Sequence, residues 1–279
     1  MRRKIKRESI IDTLVYLIVK VKNDDIFASG AQLAYYLILS FFPFLIFLMT
    51  LIGFSNLSSS EVLMWLQRVL PLNVVDLTKN TIIEVVDFQH TGILGVSIII
   101  TLWTASTGFR GVIKGVNRAY DIEENRSFIT RCIIAMLGVI ALALTVISTL
   151  LMSVFGEIIG RYLNEALPFE HIVAFLWNVL RHFVIIVILI VVFAIIYKIA
   201  PAKKVRFRDV LPGAITSTLG WLIASAGFSY YVNNFSNYSR IYGSLGTVFI
   251  LMTWLYITSM VFIFGVELNS VLEEEKKWE

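Results

Sequence analysis

The sequence predicts an all-α, polytopic membrane helix bundle of about six transmembrane helices, with the N-terminus and C-terminus both cytoplasmic. Three observations predict it. Of 279 residues, 57% are hydrophobic and 16% are charged, against about 45–50% and about 25% in soluble globular proteins. Six windows are apolar over the length that a hydrocarbon core of about 30 Å demands of a helix. The basic residues divide unevenly between the two sides that those windows define. Disorder is excluded by 20 Phe, 11 Tyr and 6 Trp, and a single cysteine, Cys132, excludes an intrachain disulfide.

Residues 1–30 form a cytoplasmic segment. Apolar side chains recur at Ile10, Leu14, Leu17 and Val21, which predicts an amphipathic helix lying on the inner membrane face or packing on the bundle. The basic start and short apolar run with Asp12 do not suggest a cleaved signal peptide. The six spans occupy 31–268. The first, Ala31 to Phe54, is interrupted by Gln32, Ser40 and Pro43; the second, Gly92 to Phe109, ends in the polar string Thr104 to Gly108. Cys132 to Phe155 is the third, and about Phe183 to Ala200 the fourth, with Ile172 as an earlier start. About Val210 to Val232 is the fifth and contains Pro212-Gly213; Gly243 to Leu268 is the sixth. An outer helical hairpin is expected at about 55–91, opened by a capping box at Ser58 and Glu61 and divided by Pro71. A short tail, 269–279, follows.

Nineteen Lys and Arg fall on the side that carries both termini and five on the other. Cytoplasmic loops are the basic ones, and an even span count returns the chain to its starting side, so the two observations agree.

Ionisable and amide side chains at membrane depth are costly and usually face the bundle interior or a wet cavity. Gln32 opens the first span and Glu267 closes the sixth. Arg110, Lys114 and Arg118 follow the second span at steps of four, which places them on one helix face. Asn117 lies beside them, Ser106 and Thr107 extend the polar character inward, and Gly108, Gly111 and Gly115 allow a neighbouring helix to approach. One reading is a substrate site of Gln32, Arg110, Lys114, Asn117, Arg118 and Glu267, open to the cytoplasm, in which Glu267 pairs with Arg110 when the site is empty. The other is that the basic residues set topology and snorkel to lipid phosphates. Pro43, Pro212, Gly213, Gly243 and Gly246 are read as structural, marking breaks or close helix crossings.

No phosphate-binding Gly-rich loop, zinc-protease motif or nucleophile elbow occurs. His90, His171 and His182 are scattered on the outer side without metal-ligand spacing. No metal, cofactor or catalytic set is therefore expected. Asp121, Glu123, Glu124 and Asp209 lie among basic residues in short connections and read as solvated charges.

Several segments, in order, carry a resemblance: Ala34-Tyr35-Tyr36 with Ser40-Phe41-Phe42-Pro43, Asn117-Arg118-Ala119-Tyr120, Leu211-Pro212-Gly213-Ala214, Ile241-Tyr242-Gly243-Ser244-Leu245-Gly246, Trp254-Leu255-Tyr256 and Gly265-Val266-Glu267-Leu268-Asn269. Over about residues 25–272 the chain resembles the YihY/BrkB family of membrane proteins. The resemblance implies a multi-pass protein of the bacterial inner membrane. It brings a historical ribonuclease BN label and a serum-resistance label, together with suggestions of transport or lipid export, but no agreed catalytic residues.

The expected function is transporter-like, moving an anionic lipid or small amphipathic solute. The alternative is an envelope-biogenesis scaffold, and a hydrolase or nuclease has least support. Expected partners are membrane lipids with anionic headgroups, with a homo-oligomer or an envelope protein as further candidates and no nucleic acid.

Overall fold

The computed structural model describes residues 10–53, 94–166, 170–235 and 244–276, with isolated positions between 59 and 83. The described residues include seven α-helices: α1 (Ile10–Asn23), α2 (Ile26–Gly53), α3 (Leu94–Ala119), α4 (Phe128–Ala166), α5 (Glu170–Ile199), α6 (Phe207–Phe235) and α7 (Ser244–Lys276). The expected outer hairpin at 55–91 and Gly243 lie largely or wholly outside the described residues.

Among the described residues, five helices are long and apolar enough to cross a membrane: α2, α4, α5, α6 and α7. α3, at 26 residues, is nearly as long as α2, the shortest of them at 28. It starts as the apolar run Leu94–Trp103 and continues as a polar and basic second half. The six long helices form a ring in which each packs on the next in sequence and α7 closes on α2. Most helices run beyond the apolar windows that predict them. α3 continues to Ala119, so Arg110, Lys114 and Arg118 are helical and share one face.

Local chemistry sets the boundaries at the basic face. Asp25 caps α2, accepting a hydrogen bond from the Ala28 N–H at 3.2 Å. Ser127 caps α4 in the same way through the Thr130 N–H, also at 3.2 Å. α3 ends where Asp121 turns into the left-handed region, with φ of 53°.

Most of the core lies in the half of the ring nearest this face. It is built from Val112, Ile113 and Val116 of α3, Ala135 and Val139 of α4, Ala194 and Tyr197 of α5, Val210 and Ala214 of α6, and Ile263 and Val266 of α7. α5 between Ile172 and Val191 turns a broad apolar surface outward, as a lipid-facing helix must.

A buried polar knot joins α5, α6 and α7. The Tyr197 hydroxyl lies 2.7 Å from Ser217 Oγ and donates to the Phe262 carbonyl at 2.8 Å. Ser217 Oγ also reaches the Val261 carbonyl at 3.1 Å. Pro212 interrupts the hydrogen-bond ladder near the start of α6. Asn269 of α7 grips this turn from across the interface. Its Oδ1 accepts from the Gly213 N–H at 2.7 Å, and its Nδ2 donates to the Val210 carbonyl at 3.1 Å. This exchange requires glycine at 213, because a Cβ there would overlap the Gly265 carbonyl oxygen and the Asn269 amide. Gly246 is buried in α7. Pro43 sits inside α2.

Candidate anion-binding cavity

α2 and α3 cross closely because α3 presents glycine. A Cβ at Gly108 would overlap Ser40 Oγ, and one at Gly111 would overlap the Tyr36 ring. On the flank of this contact, against the start of α4, lies a cavity of about 490 Å³. Arg110, Lys114, Asn117 and Arg118 of α3 line it with Arg131 of α4, Glu124 of the connection and Tyr36 of α2; Leu39, Ile113 and Ile122 supply apolar wall.

Four of the six predicted site residues therefore come together. Arg110 Nη1 lies 3.6 Å from Cys132 Sγ. The Arg110 and Arg131 guanidinium groups each stand 6.0 Å from the Phe128 ring centroid, within cation–π range. Lys114 donates to the Tyr36 hydroxyl at 3.3 Å. Among the described residues, no carboxylate pairs with Arg110, Lys114, Arg118 or Arg131. Arg131 Nε is buried and has no hydrogen-bond partner among them.

The one acid in the wall does not neutralise these cations. Glu124 receives Arg126 through Nε at 2.8 Å and Nη2 at 2.6 Å, and Asn117 Nδ2 at 2.8 Å. The Arg126 guanidinium holds the Glu124 carboxyl down at about 2, with the Asn117 amide adding to it. The expectation of a solvated charge at Glu124 is thus corrected: a fork-to-fork ion pair fixes it. Arg126 also donates to the Ala200 carbonyl at 2.8 Å, tying this connection to the end of α5. Asn117 completes the clamp, since its Oδ1 accepts from the Ala202 N–H at 2.8 Å. Asn117 lines the cavity, yet both ends of its amide are engaged in holding the two connections together.

Gln32 and Glu267 lie elsewhere. Gln32 is exposed on α2, one turn beyond Tyr36 on the same stripe and outside the rim. Glu267 is 1% exposed, and its ion-pair partner is Lys20 of α1 at 3.8 Å. The expected pairing with Arg110 is not found, because Glu267, Ser270 and Glu274 recur along the face of α7 that α1 covers. The hydroxyls of Ser106 and Thr107 bond back to the Trp103 and Thr104 carbonyls, so only Thr107 contributes to the lining.

The sequence-derived set lacks Arg131 and Tyr36, as it lacks Glu124, among the polar residues of the lining. Arg131 counts as a topology charge in the sequence, and only the packing of α4 on α3 returns it to the Arg110 side. Tyr36 falls within a segment that carries the family resemblance, and that was its one signal. Among the described residues, no group of three His, Cys, Asp or Glu side chains is placed to hold a metal ion.

A model of the family described as "Virulence factor BrkB" matches residues 17–279. The putative ribonuclease-like protein YfkH of Bacillus subtilis is 38% identical over 250 residues, covering 90% of this chain and 91% of that one. Two proteins described as UPF0761 membrane proteins are also similar. The one from Alteromonas mediterranea is 26% identical over 270 residues, covering 94% of this chain and 88% of its own. The one from Pseudoalteromonas atlantica is 26% identical over 262 residues, covering 90% and 83%. No solved structure matches. The chain belongs to the BrkB family and is an integral membrane protein.

Proposed function

We propose that this BrkB-family membrane protein is transporter-like. It takes the phosphate or other anionic group of a lipid or small amphipathic solute into the α2–α3–α4 cavity from the cytoplasmic side and moves it across the inner membrane. One observation carries the reading: Arg110, Lys114, Arg118 and Arg131 line one cavity without a carboxylate partner among the described residues.

Lys114 and Arg118 are exposed, while Arg110 and Arg131 are half-buried, and unpaired cations near a low-dielectric interior are costly. An arriving anion relieves that cost, and charge-assisted hydrogen bonds to guanidinium hold it. The Arg126–Glu124 pair keeps the nearby carboxylate occupied, so it does not compete for the same guanidinium groups. Leu39, Ile113 and Ile122 offer apolar wall to the remainder of an amphiphile. No residue pattern supports hydrolysis, and the ribonuclease-like label belongs to the relative's name.

The test is reconstitution of the full chain in vesicles, with headgroup-labelled phosphatidylglycerol and phosphatidylcholine followed separately. Faster transfer of the anionic lipid, reduced at least tenfold by Arg110→Ala with Arg131→Ala, supports the reading. Equal transfer of both lipids, or a double variant as active as the parent, overturns it. No transfer by any form points instead to the envelope-scaffold alternative.

A further inference from the structure

α1 is a helix with its polarity reversed. A helix docked on a protein in water buries its apolar stripe and presents its polar one. α1 buries Lys20 at 5% exposure, while Ile18 stands 68% exposed and Leu14, Val15 and Val19 are also exposed. Leu17 is the one apolar side chain on the inner face that is fully buried.

Beside Leu17, and Val21 packed against the core, the inner face makes polar contacts. Thr13 donates to Glu275 at 2.9 Å and Tyr16 to Glu274 at 2.7 Å. Lys20 donates to Ser270 at 2.6 Å and lies 3.4 Å from Glu274 and 3.8 Å from both Glu267 and Asp121. α1 is thus fastened by its charged side to the end of α7, and its apolar side faces away from the protein.

We infer that this outward face is embedded in the anionic cytoplasmic leaflet, so that α1 is an interfacial membrane helix. Three features specify lipid as the occupant. First, the level is right. α7 has 33 residues and is therefore about 50 Å long, more than the hydrocarbon thickness of about 30 Å. Its last two turns, where α1 is attached, reach the headgroup layer. Second, the face is continuous with a lipid-facing one. Only Asp24 and Asp25 separate α1 from the spanning helix α2, whose Phe27 and Tyr35 are themselves exposed. Third, the charge is complementary. Arg2, Arg3, Lys4, Lys6 and Arg7 precede the helix, and Lys22 is exposed on it; basic residues at this level attract anionic lipid.

The test uses the full chain in phosphatidylglycerol-containing vesicles, with Cys132→Ala as background and a spin label at Ile18→Cys or at Asn23→Cys, which is exposed about 140° round the helix axis from 18. The label at 18 is expected to collide with oxygen several-fold more than with an aqueous nickel chelate, and the label at 23 to show the reverse. Equal nickel access at the two positions overturns the inference in favour of a water-exposed face. Spin–spin broadening at 18 overturns it in favour of a second copy of the chain. The unmodified protein gives an independent reading. A diazirine-bearing phospholipid should leave adducts on Leu14 to Val19, and adducts confined to the spanning helices would overturn the assignment.

Discussion

Two polar clusters lie within the ring and have opposite designs. In the α5–α6–α7 knot the polar groups are spent on one another. Tyr197 holds Ser217 and the Phe262 carbonyl, and Asn269 accepts from the Gly213 N–H and donates to the Val210 carbonyl on either side of Pro212. In the α2–α3–α4 cavity, four cations pair with no carboxylate among the described residues, and Glu124 in the same wall is engaged by Arg126. Both clusters use residues that are expensive near lipid. Polarity alone therefore does not mark a working site. What distinguishes the cavity is bonding capacity left over, while the knot has converted its capacity into helix–helix attachment.

The strongest way to break this contrast is at Gly213. Gly213→Val drives a side chain into the Gly265 carbonyl and Asn269, and overpacking of this kind costs about 1–3 kcal/mol or more. Little folded protein should survive detergent extraction. Gly227→Ala is the control, since nothing lies within 4 Å of that position, and its thermal unfolding should match the parent. Next is Asn269→Ala, which removes the hydrogen bonds to the Gly213 N–H and the Val210 carbonyl. A hydrogen bond contributes about 0.5–1.5 kcal/mol, so a clear fall in unfolding temperature is expected; an unchanged midpoint would remove the knot's structural role.

Arg110→Ala should separate the clusters in the other direction. The unfolding midpoint should hold while affinity for phosphatidylglycerol in a binding titration falls about tenfold or more, the loss of one charge-assisted hydrogen bond of about 1.5–3 kcal/mol. Loss of stability with affinity retained would place Arg110 on the structural side.

The smallest effect belongs to Glu124→Gln and depends on pH. The Glu124 carboxyl is depressed from 4.5 to about 2 in the fold. Its stabilising effect is therefore present above about pH 4.5 and is lost as pH falls toward 2. Parent and variant should differ in unfolding temperature at neutral pH and converge in acid. A constant gap down to pH 2 would contradict the Arg126–Glu124 clamp.

Much of this architecture was legible in the sequence because lipid imposes a length on apolar runs. The windows at 132–155 and 210–232 fall within observed helices, and those at 31–54 and 92–109 do so over their described residues. The stripe of Arg110, Lys114 and Arg118 was legible because a step of four survives any tertiary arrangement. Glu267 was not assignable in the same way. Sequence gives its depth but not its direction around α7, and the partner it finds, Lys20, lies 247 positions away in the chain. Arg131 joins the cavity through the turn between α3 and α4, whose geometry has no period to read. Glu124 looks like any loop acid until Arg126 and Asn117 are seen to converge on it.

The Asn269 contact has a consequence in time. α2, α3 and α4 are complete by residue 166, so the chain can begin closing the cavity walls while it is still being made. α6 is made before α7, and the side chain that reaches its Gly213 N–H and Val210 carbonyl, Asn269, belongs to the later helix. Until α7 docks, α6 lacks this cross-link, so the knot closes after the walls of the cavity.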